Sequence, residues 1–317
     1  MTQPANDAPI LRIGSRGSPL ALVQARAVQS RLAATDGLDA GRIEIVTIRT
    51  TGDVVQNTAQ DRPFAESGGK GLFTKEIEEA LSAGRIHLAV HSSKDLPTLL
   101  PAGLLLAGFL PREDPRDAFI SRKAKSLREL LPGAVVGTAS PRREALVRRL
   151  RPDLTVVSLR GNVETRLAKL DAGEVDATIL AVAGLKRLGL LAAATAILDP
   201  EEFLPAVGQG AIGIETRADD AKTRALIATI NDRDTAVALT AERAFLAVLD
   251  GSCRTPIGGH ASVTGGRIHF RGIIVKPDGS EAFAAARQGR GEAAAELGAD
   301  AGRELRKRAS ADFFVRA

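Results

Sequence analysis

The chain has 317 residues, 44% of them hydrophobic, and a formal net charge of +5 in which 33 Arg and 10 Lys face 38 acidic residues. Its length predicts two or three domains with separate cores, and its apolar runs fall short of the roughly 20 residues that cross a bilayer, which excludes a transmembrane helix. A single Cys excludes an internal disulfide, and with no Trp or Tyr a nucleic-acid surface would have only 10 Phe on which to stack bases, so no nucleic-acid partner is expected.

The opening MTQPANDAPI lacks a basic region followed by an apolar stretch, which points to a cytoplasmic protein. Residues 11–15 read as a strand, and Ser18-Pro19 caps a helix running to about Ala34. A second strand is predicted over 42–50. A polar loop over 51–70 leads to a helix with Phe73, Ile77 and Leu81 on one face, ending at Gly84, and then a strand over 86–91. The plan then repeats: LSAGRIHLAV at 81–90 echoes LDAGEVDATI at 170–179, and IGSRGSP at 13–19 echoes VGTASP at 136–141. Two similar α/β lobes are expected, joined near PREDP at 111–115, with 204–210 as a return crossing. From Asp234 a long helix to about Leu249, strands turning at 277–280 and a helix from about Ala293 predict a smaller α+β domain. The expected domains are 1–110 with 211–230, 116–204, and 234–317.

Several motifs admit more than one chemistry. GQGAIG at 208–213 fits the spacing of a dinucleotide fingerprint, but a strand pattern follows it where a helix should open, so a tight crossing is the better reading. SGGKG at 67–71 has Gly where a phosphate loop needs Ser or Thr, and it reads as a mobile lid. Lys94 and Asp95 follow a buried strand, where α/β sheets place ligands; a surface ion pair, a helix cap and an acid/base pair all fit that spacing. Arg142 and Arg143 in a first helical turn, Arg160 at a strand end and Arg166 in the next helix suggest an anionic ligand, the alternative being solvated arginines paired with Glu144 and Glu164. Cys253 is either a small buried hydrophobe or, with glycines on both sides and Arg254 next to it, an accessible thiol.

RIGSRGSPLAL, GGKGLFTKEIE, AVHSSKDLPT, REDPRDAF, SLRGNVETRLAKLD, ILAVAGLKRLG, LPAVGQGAIGIE and GSCRTPIGG occur in that order. Together they resemble the porphobilinogen deaminase (hydroxymethylbilane synthase) family over nearly the whole chain. The resemblance implies two lobes like those of periplasmic binding proteins and a third domain whose cysteine bears a cofactor. It implies that Cys253 forms a thioether to a dipyrromethane and that four porphobilinogen molecules are joined to this primer, each losing ammonia to give an azafulvene electrophile. Hydrolysis then releases hydroxymethylbilane. Each pyrrole unit brings two carboxylates, a specific ligand for the arginines.

Carried over position by position, the resemblance makes Asp95 the catalytic carboxylate. It assigns Lys94, Asp95, Ser140, Arg142, Arg143 and Arg166 to the cofactor, and Arg16, Ser18, Arg160, Arg166 and Arg187 to the substrate. It places Lys70 and Phe73 in a mobile loop, requires no metal, and is compatible with a monomer. Pro141 departs from the apolar residue expected before the paired arginines and puts in doubt the backbone donation near Ser140. The rival readings are a two-lobed anion-binding receptor without catalysis, which has no use for Cys253, and a cysteine hydrolase, which needs His87, His91, His260 or His269 beside the thiol.

Overall fold

The computed structural model describes residues 10–36, 38–53, 71–250, 255–310 and 313–314. β1 (Leu11–Ser15), α1 (Pro19–Asp36), β2 (Ile43–Thr47), α2 (Lys75–Ser82), β3 (Leu88–Ser92) and β4 (Leu104–Phe109) come first. They are followed by β5 (Asp117–Ser121), β6 (Val135–Gly137), α3 (Pro141–Leu150), β7 (Thr155–Val157), α4 (Val163–Asp171), β8 (Ala177–Ala181), α5 (Val182–Arg187) and β9 (Ala196–Ile197). The last elements are β10 (Ile212–Arg217), α6 (Ala221–Ile230), α7 (Arg233–Val248), β11 (Ile257–Thr264), β12 (Arg267–Val275), β13 (Ala282–Arg290) and α8 (Ala294–Arg308). None of the described helices is long and apolar enough to cross a membrane.

The described residues fall into two compact units, one within Met1–Leu96, Leu100–Pro111 and Ile212–Asp232, the other within Pro97–Leu99, Arg112–Ala211 and Arg233–Ala317. The first holds a five-stranded sheet in the order β2-β1-β3-β10-β4. β1 runs parallel to β2 and β3, while β10 lies antiparallel between β3 and β4. Leu11, Ile13, Leu88, Val90 and Ile214 of the sheet bury against Val28 and Leu32 of α1 and Ile227 of α6, each such side chain contributing about 1.5–3 kcal/mol.

The second unit holds a five-stranded sheet ordered β7-β6-β8-β5-β9. β6 is parallel to β7 and β8, and β5 is antiparallel to β8 and β9. The pattern is that of the first sheet, with β5 in the place of β10, so the echo in the sequence is an echo of topology. The same unit contains the antiparallel sheet β11-β12-β13. Gly298 lets α8 approach α7, since a Cβ there would stand 2.0 Å from Ala241 O. The fold is therefore α/β in two sheets, with a smaller α+β portion at the C-terminal end.

Two predicted boundaries move for local reasons. The second strand stops at Thr47 instead of 50 because Thr50 enters a turn in which its N and Oγ1 donate to Asp53 Oδ2, at 3.2 and 2.8 Å. Phe73 lies outside α2 because Gly71, at φ 94°, turns the chain, and Thr74 N and Lys75 N both bond its carbonyl before the helix begins.

Candidate active site

In both five-stranded sheets the parallel strands end where the predicted residues begin. β1 runs into Arg16 and Ser18, and β3 into Lys94 and Asp95 in the short turn Ser93–Asp95. β6 is followed by Ser140, Arg142 and Arg143, β7 by Arg160 and Arg166, and β8 by Arg187 at the end of α5. Carboxyl ends of strands are where open α/β sheets bind ligands, because the helices that follow present their amide ends there.

In the first unit, Arg16, Ser18, Gln24, Phe73, His91 and Asp95 line a cleft that is open to solvent. Arg16 donates from Nε and a terminal nitrogen to Asp53 Oδ1, at 3.0 and 2.5 Å, and its guanidinium lies 4.2 Å from the centre of the Phe73 ring. Burial pushes the Asp53 carboxyl up, but the Arg16 and Thr50 hydrogen bonds outweigh it and hold the group below the usual carboxylate range. Ser18 Oγ accepts from Ala21 N at 3.3 Å and so caps α1. Gln24 Nε2 donates to Ser92 Oγ at 2.8 Å, fixing the wall between α1 and β3.

In the second unit, Ser140 is the N-cap of α3, accepting from Arg143 N at 3.4 Å, while its own N–H donates to Thr138 Oγ1 at 3.2 Å. Pro141 takes the first helical position, where no N–H is needed, so the departure at this position leaves the cap intact. Arg142 and Arg143 are buried and converge on Asp117, not on Glu144, which pairs with Arg148 at 3.1 Å. Arg142 donates to Asp117 Oδ2 at 2.7 Å and to Leu204 O at 2.8 Å. Arg143 donates to Asp117 Oδ1 at 2.7 Å and to Ile179 O at 2.9 Å. Gln209 Nε2 adds a bond to Asp117 Oδ1 at 2.9 Å and another to Pro115 O at 2.7 Å. Burial opposes ionisation of Asp117, yet the two guanidinium groups and these bonds hold it far below the usual range. Arg166 Nε donates to Gly161 O at 2.8 Å, and Arg187 to Gly210 O at 2.6 Å, burial lowering the Arg187 pKa.

Sequence reasoning missed Asp117, Gln209 and Asp53 as partners of the predicted arginines. Asp117 carried a legible signal: it opens Asp117-Ala-Phe-Ile-Ser121, a strand buried along its whole length, where a lone carboxylate must find a cation. Cys253 and Lys70 lie outside the described residues.

A family model for porphobilinogen deaminase, dipyromethane cofactor binding domain, matches residues 11–225, and the model for the porphobilinogen deaminase C-terminal domain matches residues 236–307. The chain belongs to the porphobilinogen deaminase family. Porphobilinogen deaminases of Nitrobacter hamburgensis and Nitrobacter winogradskyi are each 62% identical over 303 residues, covering 96% of this chain and 95% of theirs. That of Paracoccus denitrificans is 55% identical over 314 residues, covering 99% of both. Among solved structures the methionine-binding protein MetQ aligns at 19% identity and a TM-score of 0.44, covering 71% of this chain and 91% of its own.

The described residues fit the family's dipyrromethane. Four carboxylates on two linked pyrroles call for guanidinium donors, which the strand ends of the second unit supply, and Arg142 Nε is buried with no hydrogen-bond partner. Among the described residues no group of His, Cys, Asp and Glu could hold a metal ion.

Proposed function

We propose that the chain is a transferase that joins four porphobilinogen molecules head to tail on a dipyrromethane held by Cys253 through a thioether. Ammonia leaves at each joining, and hydrolysis then releases hydroxymethylbilane. The observation that carries this reading is the cleft of the first unit, where Asp95 and Arg16 share the walls at the carboxyl ends of β3 and β1. When bound, the dipyrromethane supplies the nucleophilic pyrrole end from which the product grows.

Asp95 accepts a pyrrole N–H, stabilises the positive charge that develops as ammonia departs, and moves the ring proton. Arg16 and Ser18 hold a substrate carboxylate, and Asp53 orients Arg16 until that carboxylate arrives. Arg160, Arg166 and Arg187 bind further substrate carboxylates. Lys94, Ser140, Arg142, Arg143 and Arg166 hold the primer, with Asp117 fixing the two adjacent guanidinium planes. Residues 1–110 with 211–230, 116–204 and 234–317 form the three domains of a cytoplasmic monomer whose partner is porphobilinogen, with no nucleic acid or membrane.

Asp95→Asn keeps the shape of the side chain and removes its charge. On protein whose Cys253 load has been verified, kcat should fall about 10^2–10^4-fold with little change in KM. Undiminished turnover would remove Asp95 from the chemistry.

A further inference from the structure

Three ionisable side chains at and behind the cleft wall have no part in the roles above. His91, in β3, lines the cleft beside Asp95. Its Nε2 lies 3.1 Å from Glu215 Oε2 of β10, and the two side chains are 3% and 0% exposed. The register explains the meeting: His91 stands opposite Gly213, so Glu215, two residues on, lies diagonally from it on the same sheet face. Glu215 Oε1 is buried without a hydrogen-bond partner. Glu78 of α2 is the third group; burial pushes its carboxyl up, and the charge of Glu215 adds to this.

A carboxylate this deeply buried needs a proton or a cation close by. His91 is the partner to which Glu215 is bonded, so Glu215 holds the Nε2 proton and fixes the ring. That leaves Nδ1 as the ring nitrogen to take a further proton, as where carboxylates orient imidazoles elsewhere. The charged groups around His91 are Glu215 from β10, Glu78 from α2, Arg16 after β1 and Asp95 after β3; α1 brings Gln24 and no charge to the cleft.

We propose that His91 accepts protons from the cleft during the condensation and that Glu215 is its positioning residue. Each joining breaks one C–N bond, whose electron pair leaves with the ammonia, forms one C–C bond and frees one ring proton. That proton passes through Asp95 to Nδ1 of His91 while Nε2–H stays on Glu215, and then to solvent or ammonia. The proposal rests on the reading of Asp95 above.

The test compares kcat and KM against pH for the full-length holoenzyme and for Glu215→Gln, His91→Gln and Asp95→Asn, each checked for cofactor load and Tm. Glu215→Gln removes the carboxylate that holds the ring, so the acid limb of kcat should move to lower pH. Its kcat should fall about tenfold, with KM within about twofold. His91→Gln should abolish that limb and lower kcat about 10^2-fold. A purely structural pair would lower Tm and leave the limb of the folded enzyme in place, and that result would overturn the proposal. Undiminished turnover in Asp95→Asn with a shifted limb in Glu215→Gln would instead refute the role of Asp95 alone. Should the variants not load, nitrogen NMR of His91 in the wild-type holoenzyme gives the same reading, and a ring that does not titrate across the limb overturns the proposal.

Discussion

Asp117 illustrates how two arginines proposed to bind the primer depend on a carboxylate buried beside them. Two buried guanidinium groups side by side repel each other and have lost their water, and Asp117 answers both from one carboxylate. Removing one partner of such a set leaves uncompensated buried charge, which costs about 3–5 kcal/mol. Asp117→Asn should therefore lower the denaturant midpoint sharply; an unchanged midpoint would mean that the arginines find other partners. The sign with pH follows from the depressed carboxyl. Its stabilisation is complete above the unfolded value of about 3.9 and is lost as the pH falls below it, so acid titration of stability should show a steep loss there that Asp117→Asn lacks. The sequence made the arginines visible by their positions after strands. It left Asp117 obscure, because a salt bridge across 25 or 26 residues has no local period.

At the level of elements, much was legible because turn chemistry and periodicity are local. Ser18-Pro19 and Ser140-Pro141 mark helix starts, and Gly84, at φ 69°, ends the turn after α2 as expected. The alternation of Ile212-Gly-Ile-Glu215 identified β10 and ruled out a dinucleotide loop, yet nothing in it revealed that β10 lies antiparallel between β3 and β4. That placement is what sets Glu215 against His91, which explains why the sequence showed His91 only as one of four histidines. Helix packing is tighter than the pattern suggested: Gly298→Ala would put a Cβ 2.0 Å from Ala241 O. The α7–α8 contact must then open, at a cost of about 1–3 kcal/mol in thermal or denaturant melts. A neutral Gly298→Ala would show that α8 is free to shift.

For the molecule as a whole, repeated strand-helix phrases foretold two sheets of one topology, and the change of pattern after Asp234 foretold the C-terminal α+β portion. The electrostatic design was less legible, since composition gave an excess of arginine without saying which carboxylates, internal or bound, would meet it. Arg16 and the Arg142–Arg143 pair each meet an internal carboxylate, Asp53 and Asp117, so the protein orients its guanidinium groups before any ligand carboxylate arrives. The central claim is that these groups serve a pyrrole primer fixed to Cys253. Intact-mass measurement of the purified holoprotein beside Cys253→Ser tests it most directly. The wild-type chain should carry the mass of two linked pyrrole units, absent from the variant along with its activity. An active wild-type chain with unmodified mass would contradict it.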